Sequence, residues 1–239
     1  MFHPQGPSLR ELIVQALSST ERGYDLLAPK FDYTPFRTPD VILETAARVL
    51  ADGGPIGNAL DLCCGTGAAM RSLRPICRGS VIGIDRSRGM LEEARLRLED
   101  APGSAAIGLV RGDALELPFR DCFDAVVSFG AFGHILERDE PRLLDSIFRA
   151  LRPGGRFVFA TADPPSALNP LALVARGFNA AMRLRNAVRK PQFVMYYLTF
   201  LLPRAQALLE EQGFEVRVHR EVFPKPYSRL VLVEARRGG

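Results

Sequence analysis

From residue 58 onward, short apolar bursts alternate with segments of helical period. Residues 58–63 (NALDLC) read as a buried strand and 68–76 as a helix. Residues 80–85 (SVIGID) are a second strand. A helix over 87–99 follows, with Ser87 placed to cap it and Met90, Leu91, Ala94 and Leu98 at helical spacing. Residues 106–111 and 123–129 (FDAVVSF) are a third and a fourth strand. Residues 140–151 are helical and end at Pro153-Gly154-Gly155, a helix stop and turn that leads into a fifth strand over 156–161 (RFVFAT). A helix over 203–212 is closed by Gly213, and 214–222 and 228–235 are the last two strands. Strands alternating with helices imply a parallel sheet covered on both faces. The last two strands are joined by about 5–6 residues, too few for a crossover, so they pair antiparallel. The pattern predicts an open, doubly wound α/β sheet of seven strands with one reversed edge strand.

Two segments stand outside the alternation. Residues 1–50 hold SLRELIVQALSS and TPDVILETAARVL, the second with Thr38 as N-cap and Pro39 at the first helical position. Residues 163–202 interrupt the rhythm after the fifth strand. The chain divides, within one domain, into N-terminal cap helices (1–50), a core (58–162), a helical insertion (163–202) and a last helix with two strands (203–239).

Composition changes little. The 239 residues are 47% hydrophobic and 24% charged, ordinary for a globular chain and wrong for a disordered one. Lys+Arg 31 against Asp+Glu 27 gives +4, too mild to point to nucleic acid. Cys63, Cys64, Cys77 and Cys122 form no C-x-x-C pair and histidine is scarce, so no metal site is expected. The opening MFHPQGPSLRELIV has no charged region followed by an apolar one, so no secretory signal is read there. The longest apolar run, FVMYYLTFLL over 193–202, falls short of the roughly 20 residues that span a bilayer. A reduced, cytoplasmic enzyme is the expectation.

The chemistry concentrates in ALDLCCGTG, residues 59–67, where a strand runs into a glycine turn and then a helix. This arrangement aims backbone N–H groups into the crevice at the strand ends. Asp61 sits at the strand end. Asp85 ends the next strand, 20 positions after Gly65, where an acid accepts hydrogen bonds from both hydroxyls of a ribose. A dinucleotide fingerprint would continue G-x-G-x-x-G/A, but here Met70 fills the last position. An acid four residues before Gly65 also repels a pyrophosphate and suits an amino group. A ribose, a cation and no phosphate describe S-adenosylmethionine.

These residues resemble the class I S-adenosylmethionine-dependent methyltransferases, particularly the small-molecule ubiquinone/menaquinone-type group, most strongly over 59–162 and less so over 203–235. DLCCGTG matches acid-x-Gly-x-Gly-x-Gly, with Gly65 and Gly67 in the last two glycine positions and Cys63 in place of the first. VIGID, RGDALELPF, FDAVVSFGAFGHI and LRPGGRFVFA follow in the family's order. The resemblance implies a Rossmann-like doubly wound sheet of seven strands, mostly parallel with an antiparallel last strand, plus N-terminal helices and a helical insertion after the fifth strand. It implies cofactor contacts from Asp61, Cys63, Gly65, Thr66 and Gly67; a ribose contact from Asp85; and an adenine environment of Arg86, Met90, Asp113 and Ala114. Phe129 and Gly130 would line the methionine portion, and Tyr24 with residues 31–37 (FDYTPFR), Arg37 included, would cover the cofactor. S-adenosylhomocysteine would be the product.

Methyl transfer from a sulfonium is a direct displacement that depends chiefly on alignment, and a base is needed only if the acceptor loses a proton. His134, after the fourth strand, is the leading base candidate, and a histidine fixed by loop hydrogen bonds is the plainer reading. Asp163, Tyr196 and Tyr197 are weaker candidates. ADPPS, residues 162–166, imitates an amino-methylation motif but follows the wrong strand and lacks its aromatic.

The insertion between Pro164 and Pro203 carries Arg176, Arg183, Arg185, Arg189 and Lys190 and no acid. Arg176, Asn179, Arg183, Asn186 and Lys190 share one helical face; Leu171, Val174, Phe178, Ala181 and Val188 lie opposite, with Arg185 breaking the apolar side. The functional reading is a lid, apolar within and basic without, that admits a lipophilic or anionic acceptor or touches an anionic membrane surface. The plain reading is a solvated helix buried by its other face. A small-molecule acceptor is the expected partner, with no nucleic acid, because between Pro164 and Lys190 only Phe178 is aromatic. A homo-oligomer stays open, as do a nicotinamide oxidoreductase, a nucleic-acid methyltransferase and a non-catalytic cofactor-binding protein.

Overall fold

Each apolar burst becomes a strand of one sheet: β1 (Ile56–Leu62), β2 (Cys77–Asp85), β3 (Ala106–Arg111), β4 (Phe123–Ser128), β5 (Leu151–Ala162), β6 (Phe214–His219) and β7 (Leu230–Arg237). The computed structural model describes residues 3–238; Met1, Phe2 and Gly239, from the outer segments, lie outside the described residues. The strand order is β3-β2-β1-β4-β5-β7-β6. β1 to β5 pair in parallel, and β7 runs antiparallel to both β5 and β6.

The reversed strand is therefore the last in the chain but not the edge strand, which corrects the sequence reading. The short connection dictates how β6 and β7 pair, not which of them lies beside β5. The side chains decide that. β7 buries Val231, Leu232 and Val233 in succession, as a strand covered on both faces must. β6 interleaves Glu215 and Arg217 with its apolar residues, which suits an exposed edge.

Side-chain alternation builds two cores. Leu60, Leu62, Val126, Phe157, Phe159 and Val233 face α6 (Glu140–Ala150) and α8 (Leu202–Glu211). Ala59, Val81, Val127, Val158 and Leu232 face α3 (Asp40–Asp52), α4 (Ala68–Leu73) and α5 (Arg88–Leu98). Small residues permit close helix contact on the second face. Met70 is fully buried there. The room for it comes from Gly83 on β2, where an added methyl group would stand 2.4 Å from Met70 Sδ.

Two boundaries shift. α3 begins one residue later than expected, so Pro39 is its N-cap and Thr38 is left outside the helix. β5 begins directly at Leu151, which is buried and paired with Phe123, so Pro153-Gly154-Gly155 is an irregularity inside the strand rather than a turn before it.

The N-terminal helices are α1 (Leu9–Leu17) and α2 (Thr20–Leu27), followed by a 3₁₀ turn, Ala28–Tyr33. The insertion is α7 (Pro170–Val188), and its orientation contradicts the expected lid. Ala172, Met182 and Asn186 are its buried residues. Leu171, Val174 and Val188, expected inside, are 78%, 70% and 79% exposed. The irregular segment after α7 explains the inversion, because its backbone needs partners that no strand supplies. Asn186 accepts from the Phe193 N–H and donates to the Phe193 carbonyl, at 3.0 and 2.9 Å. Asn179 does the same for Tyr197, at 2.8 Å in both directions. The two asparagines must face inward, and the leucines and valines are turned out.

Gly83→Ala should destabilise the fold by about 1–3 kcal/mol in chemical denaturation, the usual range for overpacking. Adding Met70→Ala should recover part of that loss; a Gly83→Ala protein as stable as the parent would show that Met70 has space to move.

Candidate active site

The strand order reverses between β1 and β4, and the crevice at such a switch point lies at the strands' carboxyl ends. There β1 delivers Asp61 and β2 delivers Asp85. Asp61 is 2% exposed, and its Oδ2 has no hydrogen-bond partner among the described residues. Burial, reinforced by the Asp85 charge, pushes its carboxyl well above the ordinary range; the Met70 amide opposes this. Asp85 is better served. It accepts the Gly65 N–H on one oxygen and the Ser87 N–H on the other, each at 2.9 Å. Burial still raises it, against those amides. Asp85 thus ties the glycine turn to the start of α5, where Ser87 caps through the Met90 N–H as expected.

The turn itself is left-handed at Cys63, Gly65 and Gly67, with φ of 54°, 53° and 83°. Cys63 holds a conformation that glycine adopts freely, so the missing first glycine costs strain without changing the shape. Its thiol is pushed up by burial and by Asp85 and Asp61, and stays protonated.

The N-terminal segment straps across this turn. Asp25 accepts from Ser87 Oγ at 2.6 Å and from the Gly89 N–H at 3.0 Å, docking α2 on the start of α5. Asp32 accepts from Thr66 Oγ1 at 2.6 Å and pairs with Arg97 at 2.9 Å.

Beyond the strap, the crevice opens into a cavity of about 830 Å³. Its lining includes apolar and aromatic side chains, among them Phe36, Phe132, Ile135, Leu136, Tyr196 and Leu198. The roof is the chain after α7, held by Thr20 through the Val194 N–H at 2.8 Å and by the Gly133 carbonyl through the Tyr196 N–H at 2.8 Å. Gly133 is required there, since a methyl group would lie 2.6 Å from the Tyr196 carbonyl oxygen. His134 also lines the cavity. Its Nδ1 is 2.6 Å from the Val194 carbonyl, which can only accept, so Nδ1 carries the proton. Its Nε2 is therefore the acceptor for the Tyr24 hydroxyl, at 2.7 Å. Burial holds the imidazole below its ordinary pKa and the Tyr24 phenol above its own.

Residues 59–155 match the family described as Methyltransferase domain. Residues 59–155 carry a methyltransferase domain. A demethylmenaquinone methyltransferase of Symbiobacterium thermophilum is 40% identical over 179 residues, covering 74% of this chain and 60% of that protein. A 2-phytyl-1,4-naphtoquinone methyltransferase of Nostoc punctiforme is 39% identical over 111 residues, covering 45% of this chain and 47% of that one. The chain thus spans 60% and 47% of the length of these two relatives. Among solved structures, a DhpI–SAH complex superposes with a TM-score of 0.66 at 21% identity, over 97% of this chain and 99% of that one. The magnesium protoporphyrin IX methyltransferase of Synechocystis PCC 6803 with bound SAH gives 0.61 at 17%, over 92% and 96%. At these identities the structural likeness concerns the fold.

In this methyltransferase domain the expected residues converge on one cavity: Asp61, Cys63, Gly65, Thr66, Asp85, Arg86, Met90, Asp113, Ala114, Phe129, Gly130, Tyr24, Arg37 and His134 all line it. Gly67 is the exception: it is not among the lining residues, and a methyl group there would meet Leu98 at 2.8 Å. Arg86 and Asp113 meet each other at 3.3 Å at the rim. Arg37 spends its guanidinium on Asp40, at 2.6 Å. Of the weaker base candidates, Tyr196 and Tyr197 line the cavity, whereas Asp163 is engaged by Arg220 at 2.7 Å away from it. The sequence reading missed Asp25, Thr20 and Gly133, which act through tertiary contacts that leave no local signature. Asp32 lay within the stretch read as a cover, and Thr38 was read as a cap. Among the described residues no cluster could hold a metal, and no helix is long and apolar enough to cross a membrane.

Because the folded pKa of Asp61 is raised, its ionisation opposes folding as pH climbs from the unfolded value near 3.8 through the folded one. Asp61→Asn should therefore raise the urea midpoint of the ligand-free protein at pH 7.5, and the gain should shrink toward pH 4. A midpoint unchanged at both pH values would mean that the carboxylate is solvated.

Proposed function

We propose that the chain transfers a methyl group from S-adenosylmethionine to a small lipophilic acceptor of the quinol class. The observation that carries this reading is the unpartnered, buried Asp61 Oδ2 near Asp85 in a cavity that is also lined by aromatic side chains. An orphaned buried carboxylate oxygen calls for a cation, and the ammonium of an α-amino acid supplies one. Asp85 keeps lone pairs for two ribose hydroxyls. Phe129 and the left-handed Gly130 line the space between, and the Arg86–Asp113 pair frames the adenine end. S-adenosylmethionine supplies a methyl carbon already activated on a sulfonium. What remains for the protein is to hold the acceptor in line and to exclude water, which the roof and the N-terminal strap do.

The naphthoquinone-type substrates in the names of the two relatives agree with the apolar and aromatic lining. His134 is the proton acceptor, acting through Tyr24. A proton leaving the acceptor reaches Tyr24 Oη while the phenol's own proton passes to His134 Nε2. A histidine depressed by burial is a weak base, which fits a proton made strongly acidic by bond formation at an electron-rich ring carbon. It is also neutral at pH 7, so it needs no prior deprotonation.

Calorimetry should show S-adenosylhomocysteine binding, weakened by about 1–3 kcal/mol in Asp85→Ala. Binding of NADH without binding of S-adenosylhomocysteine would replace this reading. Tyr24→Phe and His134→Asn should each lower kcat on a reduced naphthoquinone acceptor by about 10²–10⁴-fold, with S-adenosylhomocysteine affinity retained. The acid limb of the parent's kcat profile should lie below pH 6.5, the ordinary imidazole value. Unchanged kcat in both variants would leave His134 as a loop tie alone.

A further inference from the structure

The outward face of α7 has no partner among the described residues. Leu173, Val174, Leu184 and Val188 are 52%, 70%, 67% and 79% exposed, and Leu171 is 78% exposed at the start of the helix. Leu173, Val174, Leu184 and Val188 lie away from the inward residues Ala172, Ala175, Asn179, Met182 and Asn186, which follow one another at helical spacing. The pattern is therefore not a core stripe that slipped, because the inward face is complete and hydrogen-bonded to the cavity roof. α1 adds a second outward row. Leu9, Ile13 and Leu17, spaced by four, are 70%, 50% and 41% exposed. Arg185 Nη2 joins the two helices at the Ser18 carbonyl, at 3.0 Å.

Charge selects the occupant. The segment from Pro164 to Leu202 holds five cations and no acid. Arg183 rests over the Tyr196 ring with its guanidinium carbon 5.8 Å from the centroid, and Arg189 and Lys190 are exposed at the end of α7. Two copies of this face would oppose like charges, so a second copy is a poor match. A polyanionic surface that also accepts leucine and valine side chains is an anionic lipid headgroup layer. A helix with arginines on its flanks and aliphatic residues outward lies in the plane of that layer rather than across it.

We propose that the outward face of α7 docks the protein on an anionic lipid surface. The inference rests on the lipophilic-acceptor reading only for its purpose: it seats the helix that clamps the cavity roof against the phase in which such an acceptor dissolves. The geometry stands without it. Asn179 and Asn186 link the lipid-facing helix directly to Tyr197 and Phe193 of the roof.

The test is sedimentation with vesicles, with no methyl donor or acceptor present. The parent protein should bind vesicles containing phosphatidylglycerol, bind pure phosphatidylcholine at least tenfold more weakly, and be released by raised salt. Leu173→Glu/Leu184→Glu/Val188→Glu should lower binding at least tenfold, and Arg183→Glu/Lys190→Glu should lower it with the aliphatic face intact. Circular dichroism and S-adenosylhomocysteine calorimetry on each variant report folding and the cofactor site separately, so failure of docking and failure of the proposed activity read out independently. A parent protein that ignores anionic vesicles, or a triple variant that binds them equally, overturns the proposal. A parent dimer that the triple variant converts to monomer, without vesicle binding, assigns the face to a second copy instead.

Discussion

A buried carboxylate, Asp61, and a part-buried one, Asp85, at adjacent strand tips set the terms for the rest of this structure. A buried anion such as Asp61 costs free energy in the ligand-free protein, and the cost persists only if the surroundings cannot rearrange to solvate it. The sheet provides that rigidity. Asp61 is pinned between Gly83 of β2 and Val127 of β4, both buried. Asp85 is pinned at the end of β2 and committed to two loop amides. The same rigidity makes the pair useful, since a site already desolvated and aimed loses little on receiving a cation with two neighbouring hydroxyls.

The N-terminal strap belongs to the same constraint. Asp25 and Asp32 hold the strap against α5 and the glycine turn, and each uses a carboxylate that is itself satisfied by donors. Cover and turn are therefore coupled. Thr66 faces the ligand space and is hydrogen-bonded to the cover, so displacement of one is felt by the other.

How much of this the chain displayed in advance follows from the range of each interaction. The strands, the helices, Ser87 as a cap and the two acids at strand tips rest on local pattern and were legible. The position of β7 inside the sheet depends on which face of each strand is covered; the polar residues of β6 were the available clue. Gly67 lies beside the ligand in sequence but against Leu98 in space, a contact no local motif records. Thr38 carried a capping signal that Pro39 took over, and it lines the cavity instead.

α7 is the instructive failure, because its amphipathicity was read correctly and its direction was not. A helix usually turns its large apolar residues inward because burying them is the largest available gain. That rule assumes the body beneath is apolar. Beneath α7 runs an irregular backbone with unpaired amides and carbonyls, and leaving these unmet costs more than exposing a few aliphatic side chains. Asparagine meets a donor and an acceptor at once, so Asn179 and Asn186 face inward and the small Ala172 and Ala175 let the helix approach. The direction of an inserted helix is thus fixed by the hydrogen-bonding debt of the loop it covers. The leucines and valines turned outward as a result form an apolar surface of the kind that soluble monomers rarely leave bare, and the cations around it determine what can cover it.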